Sequence, residues 1–214
     1  MFAREFFLVS DRVNLPEVPA CIQCNLEKSK FEHYLTTILP FAGRHPAAKM
    51  NLKEMVPKRL AKNLKLHRSL SKSQRKMWVR ETNSLIVNST ILPVNTEQLE
   101  KLFVMIAKGL VWYHWKTYLN SEHFIEVHFL TKAGEEKFDK EFFSLNVDNS
   151  VRKNYGNGTV YYEGLQENSC PEMTVWRFSF YGGMALGEQS KYKEISRCIG
   201  VITGPLSLKK NVVA

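Results

Sequence analysis

Acidic residues are almost missing from one stretch of this chain. Between Asn51 and Arg80 the one acid is Glu54, against ten basic residues: Lys53, Lys58, Arg59, Lys62, Lys65, Arg68, Lys72, Arg75, Lys76 and Arg80. The 214 residues carry 30 Lys and Arg against 21 Asp and Glu, a formal charge of +9, so the rest of the chain is balanced at twenty of each sign. One segment owns the whole excess. Glycine and proline are also scarce, at eleven and eight, while 44% of residues are hydrophobic and 12% aromatic. A chain of this kind buries a core, which excludes disorder and collagen-like architecture. With four cysteines it is no small disulfide-stapled scaffold either. Long apolar runs are lacking: the best, Val104 to Trp115, is broken by Lys108 and His114. Met1 to Val9 is interrupted by Arg4 and Glu5, and no small-residue cleavage site follows. These absences predict an intracellular, cytoplasmic protein with no membrane partner, forming one large domain or two modest ones.

What is present divides near residue 80. Pro16 and Pro19 predict an extended arm over residues 1–20. Residues 21–43 hold a cysteine turn, an aromatic and β-branched run from Phe31 to Leu39, and a Pro40–Gly43 turn. From His45 to Arg80 the composition is helical and basic, with a new helix starting at Pro57. A polar stretch, 81–95, closes this half. Asn95 or Thr96 then caps a helix running to about Asn120, with Leu99, Leu102, Phe103, Ile106 and Leu110 on one face. Ile125, Val127 and Phe129 alternate with Glu126 and His128 as in a strand. Further β-rich runs follow over 159–165, 174–181 and 195–203, and a helix is expected over 135–145. Trp176, Phe178 and Phe180 form one aromatic strand face, expected to pack on the Leu99–Leu110 face. The histidines His114, His123 and His128 read as packing or surface residues.

The residues that carry chemistry lie in the first half. Cys21 and Cys24 form a Cys-x-x-Cys, which in a reducing compartment reads as a metal half-site, a redox pair or two buried reduced thiols near a turn. Glu32 and His33 follow. Asn51 comes next, as a site residue or as the cap of a helix through Met55. Asn63 and His67 stand four apart, on one face of a helix. A pair of this kind and a Glu-His dipeptide opposite it supply enough polar groups to meet one metal ion.

The order Cys21-Ile-Gln-Cys24, Lys28-Ser-Lys-Phe-Glu32-His33, Asn51, Asn63 and His67 resembles the HNH family of nucleases, built on the ββα-metal motif. The resemblance spans about residues 18–70. It implies that Glu32 binds one divalent cation (Mg²⁺, Mn²⁺ or Ni²⁺), that His33 is the general base, that Asn51 orients its ring, and that Asn63 or His67 completes the metal shell. The second Cys-x-x-Cys of zinc-knuckle members is replaced here by Arg59-Leu-Ala-Lys62. A structural Zn²⁺ would therefore need Cys170 and Cys198, or His45, beside Cys21 and Cys24; otherwise no zinc binds.

The expectation is an α+β protein, with an HNH-like module over 1–80 and a helix packed on a mostly antiparallel sheet over 81–214. The expected function is metal-dependent phosphodiester cleavage. The alternative is a catalytically silent nucleic-acid-binding or regulatory protein on the same scaffold, such as a defence or counter-defence component. A further alternative is a basic surface that meets an acidic protein. Lys58, Arg59, Lys62, Lys65, Arg68, Lys72, Arg75 and Lys76 would hold the nucleic acid.

Overall fold

Helices occupy nearly all of the segment from Ile22 to Ser73, where the HNH resemblance implies strands. The computed structural model describes residues 1–80, 86–92, 94–144, 148–183 and 198–209, with the backbone alone for 77–80 and 86–91. Helix α1 (Ile22–Ala42) leads into α2 (Pro46–Glu54), α3 (Val56–Lys62) and α4 (Leu64–Ser73). A two-stranded hairpin, β1 (Arg75–Arg80) and β2 (Ile86–Ile91), separates them from α5 (Thr96–Trp115). Then come β3 (His123–Leu130), α6 (Lys132–Phe138) with a π-helical turn (Asp139–Phe143), β4 (Ser150–Tyr155), β5 (Val160–Glu167), β6 (Cys170–Phe180) and β7 (Cys198–Pro205). The predicted residues 81–85, 145 and 195–197 lie outside the described ones.

The sheet runs β3-β7-β6-β5-β4, antiparallel at every junction. The α+β expectation with an antiparallel sheet holds. Side chains alternate across each strand, so Trp176, Phe178 and Phe180 of β6 share a face with Ile199 and Val201 of β7. Against that face packs α5, through Leu99, Leu102, Phe103, Ile106 and Leu110. Phe103 meets Phe178 and Phe180 edge-on, at centroid distances of 5.2 and 5.5 Å. Asn95 caps α5, its side chain accepting from the Gln98 N–H, and the helix stops at Trp115 because Lys116 turns left-handed (φ 58°). The connection from β3 to β4 passes from one sheet edge to the other. It carries α6 across the opposite face, where Phe138 closes over Leu130, Val175, Cys198 and Ile202.

Two expectations change. The arm at residues 1–20 is not extended throughout: 3-10 turns form at Arg4–Phe6 and Val9–Asp11, and Phe2, Phe6 and Phe7 are buried, with Phe6 meeting Phe180 and Tyr181. These phenylalanines have no periodicity to announce them. The run Phe31–Leu39 is helix rather than strand: Leu35, Ile38 and Leu39 fall at helical spacing, and the stretch from Leu35 to Pro40 is buried all round. Its threonines are accommodated by local bonds, with the Thr36 and Thr37 hydroxyls both donating to the His33 carbonyl. Residues of both halves meet in one buried cluster, Leu35, Leu39, Ala47 and Ala48 beside Leu102 and Trp176. No helix among the described residues is long and apolar enough to cross a membrane.

Candidate nucleic-acid interface

The basic residues decorate the outer surface of α2, α3, α4 and the start of β1. In α4, Leu66, Leu70 and Ser73 turn toward the protein, while Lys65, Arg68 and Lys72 fall at i, i+3 and i+7 on the far side and are exposed. Lys53, Lys58 and Lys62 are exposed on the preceding helices, and Arg75 and Lys76 continue the surface into β1. None of these eight forms an ion pair with a described carboxylate. Like charges so arranged repel one another, and a polyanion relieves that cost.

Arg59 is different. It is 8% exposed, and its guanidinium donates to two backbone carbonyls, Thr36 at 2.6 Å and Glu5 at 2.8 Å. The sequence assigned it to phosphate; the structure makes it a brace between α3, α1 and the N-terminal arm. Burial holds its pKa below the ordinary arginine value.

Where the basic surface meets α1, a groove of about 400 Å³ is lined by Glu32, His33 and Ser29 of α1 and by Lys58 and Lys62 of α3. Glu32 and His33 therefore do come together with three of the predicted phosphate contacts, Lys58, Lys62 and the braced Arg59. They reach the groove from a helix, and Glu32 is paired with Lys28 one turn earlier.

The other predicted site residues stand elsewhere. Asn51 is fully buried in α2; its amide donates to the Phe6 carbonyl at 3.1 Å and faces the Tyr181 hydroxyl at 3.4 Å. Asn63 caps α4, its side-chain oxygen accepting from the Leu66 N–H at 3.0 Å. His67 is exposed on α4, outside the groove lining. Among the described residues no group of three or more His, Cys, Asp or Glu is placed to hold a metal ion. The donor set implied by the HNH resemblance thus does not assemble. Two of its members spend their carboxamides on structure instead.

The zinc alternatives fare similarly. Cys21 caps α1, and Cys24 lies in its first turn, both exposed. Cys198 is buried under Phe138 and Phe142 on the far sheet face, and the Cys170 sulfur lies beside the Glu172 carboxylate at 3.8 Å. Both ring nitrogens of His45 are engaged, Nδ1 accepting from the Ala47 N–H and Nε2 lying 2.8 Å from the Asn157 carbonyl.

Sequence reasoning missed Arg59's role. The signal was present in Pro40, which lacks the N–H that would serve the Thr36 carbonyl. Neither a protein-family model, nor a curated protein, nor a solved structure matches this chain.

Proposed function

We propose that this protein binds nucleic acid through the phosphate backbone, using the exposed basic surface of α2–α4 and β1. One observation carries the reading: eight exposed cations, Lys53, Lys58, Lys62, Lys65, Arg68, Lys72, Arg75 and Lys76, without a described carboxylate partner. The stripe Lys65–Arg68–Lys72 rises about 10 Å along α4, a span that several phosphates of a duplex occupy. Backbone contact of this kind carries no sequence information by itself. The test is fluorescence anisotropy with duplex and single-stranded oligonucleotides across a salt series. Binding is expected to weaken steeply with salt, and each charge reversal at Lys62, Lys65 or Arg68 to reduce the log–log slope by about one. Binding insensitive to salt, or unchanged in Lys62→Glu/Lys65→Glu/Arg68→Glu, would remove the reading. An acidic protein partner predicts instead that bulk DNA fails to compete.

Phosphodiester cleavage is a second reading, favoured by one observation: Glu32 and His33 share a groove with Lys58 and Lys62. In it the two lysines hold the phosphate and His33 accepts a proton from the attacking water. DNA and RNA incubated with Mg²⁺, Mn²⁺ or Ni²⁺ would be cut by the native protein and spared by His33→Ala. Equal products from both leave binding as the function.

A further inference from the structure

The first turns of α1, Ile22–Glu27, are exposed, and a pair of cysteines opens the helix. Ile22 is 82% exposed, and both cysteines are exposed as well. Cys21 is the N-cap of this 21-residue helix, with extended backbone (φ −66°, ψ 156°), and its sulfur accepts from the Cys24 N–H at 3.2 Å. The first turn holds no acid to cancel the partial positive charge of the helix end. A separation of three residues across a first helical turn places the Cα atoms roughly 5–6 Å apart, within the range a disulfide spans.

We propose that Cys21 and Cys24 are a redox-active dithiol that closes reversibly to a disulfide by exchange with small disulfides of the glutathione class. The two sulfurs have different parts to play. The Cys24 N–H donates to the Cys21 sulfur at the positive end of the helix, so negative charge is stabilised on Cys21 rather than on Cys24. Cys21 is therefore the attacking thiolate and Cys24 the resolving thiol.

In the first step the Cys21 sulfur attacks one sulfur of glutathione disulfide. A bond forms between them, the disulfide bond breaks, and one glutathione leaves as thiolate and takes up a proton. In the second, Cys24 gives up its proton and attacks the Cys21 sulfur, closing the ring and releasing the second glutathione. Two electrons pass from the cysteine pair to the glutathione pair, and excess glutathione reverses both steps.

A closed zinc site is the competing use of these sulfurs, and it needs four ligands. Among the described residues no third His, Cys, Asp or Glu stands with them. The proposal is independent of nucleic-acid binding, since the cysteines lie outside the basic surface.

The experiment equilibrates the full chain in reduced and oxidised glutathione at several ratios, quenches with iodoacetamide and maps the peptides by mass spectrometry. The expected product is a Cys21–Cys24 disulfide that disappears as reduced glutathione rises, with Cys198 unlabelled until the protein is unfolded. Serine at position 21 still caps the helix, so both single variants keep their fold. Cys24→Ser should accumulate one glutathione on Cys21, roughly tenfold faster than Cys21→Ser accumulates it on Cys24. No intramolecular disulfide at any ratio would overturn the proposal. So would equal rates in the two variants, or zinc that binds tightly and shields both thiols from alkylation.

Discussion

The guanidinium of Arg59 donates to the carbonyl of Thr36, the one α1 carbonyl that Pro40 leaves without its helical partner. Proline at position 40 has no N–H to give four residues back, and Arg59 supplies the missing donor from α3. This predicts a pair of linked stabilities. Arg59→Met should destabilise the fold by about 2–4 kcal/mol, because the buried Thr36 carbonyl loses the guanidinium donor. In a Pro40→Ala background the helix provides its own N–H, so the same substitution should cost about 1 kcal/mol less. Urea denaturation of the four proteins checks it; identical costs in both backgrounds would break the link. Nucleic-acid affinity of the folded Arg59→Met protein should keep its salt slope.

That pairing also shows where sequence reading stops. Helix α5 was legible because Leu99, Leu102, Phe103, Ile106 and Leu110 repeat at a helical period, and β6 because Trp176, Phe178 and Phe180 alternate. In each case one element's own pattern encodes its buried face. Phe31–Leu39 misled, since β-branched threonines favour strands until their hydroxyls find the His33 carbonyl. The groove was half legible. Glu32, His33, Lys58 and Lys62 do meet there. Asn51 and Asn63 do not, because what holds them is a Phe6 carbonyl 45 residues away and a cap geometry that spacing does not reveal.

His114 predicts a dependence on pH. Its Nε2 lies 2.9 Å from the Tyr162 hydroxyl, beside the Trp115 and Trp176 rings. Burial, then the nearby charges of Lys153 and Lys116, push its pKa down to about 4 from an ordinary 6.5. Between those values the unfolded chain binds a proton that the folded one refuses. Stability is therefore fully present above pH 6.5 and falls as pH drops toward 4. With the ring partly solvated, the loss is on the order of 1–2 kcal/mol. The difference in unfolding free energy between native protein and His114→Gln, measured from pH 7 to pH 4, should shrink by that amount.

Gly164 lies directly across from Trp176 in the β5–β6 pairing. A Cβ at this glycine would stand 2.4 Å from the indole, whose Nε1 is anchored to the Thr174 hydroxyl at 2.8 Å. Trp176 is fully buried and cannot swing outward. Gly164→Ala should cost about 1–3 kcal/mol through overpacking and alter the tryptophan emission of the native state. An unchanged spectrum together with an unchanged denaturation midpoint would show that the indole yields without strain.

Glu163 is 2% exposed, yet carries a carboxylate on the sheet face that α6 crosses. It is met by Arg177, by Arg152 at 2.9 Å and by the Tyr161 hydroxyl at 3.1 Å. Arg177 reaches on to Asp139 and to Glu135 at 3.4 Å, tying the sheet to the crossover helix. Removing Arg177 alone leaves a buried carboxylate with one remaining cation, Arg152, which is itself largely exposed. Arg177→Met should therefore cost about 3 kcal/mol, whereas Glu163→Met/Arg177→Met, which removes both buried charges, should cost less than the single change. Chemical denaturation around this double-mutant cycle measures the coupling. If the double variant is as unstable as the two single losses added together, the pair is not coupled, and α6 is held by Phe138 and its apolar neighbours alone.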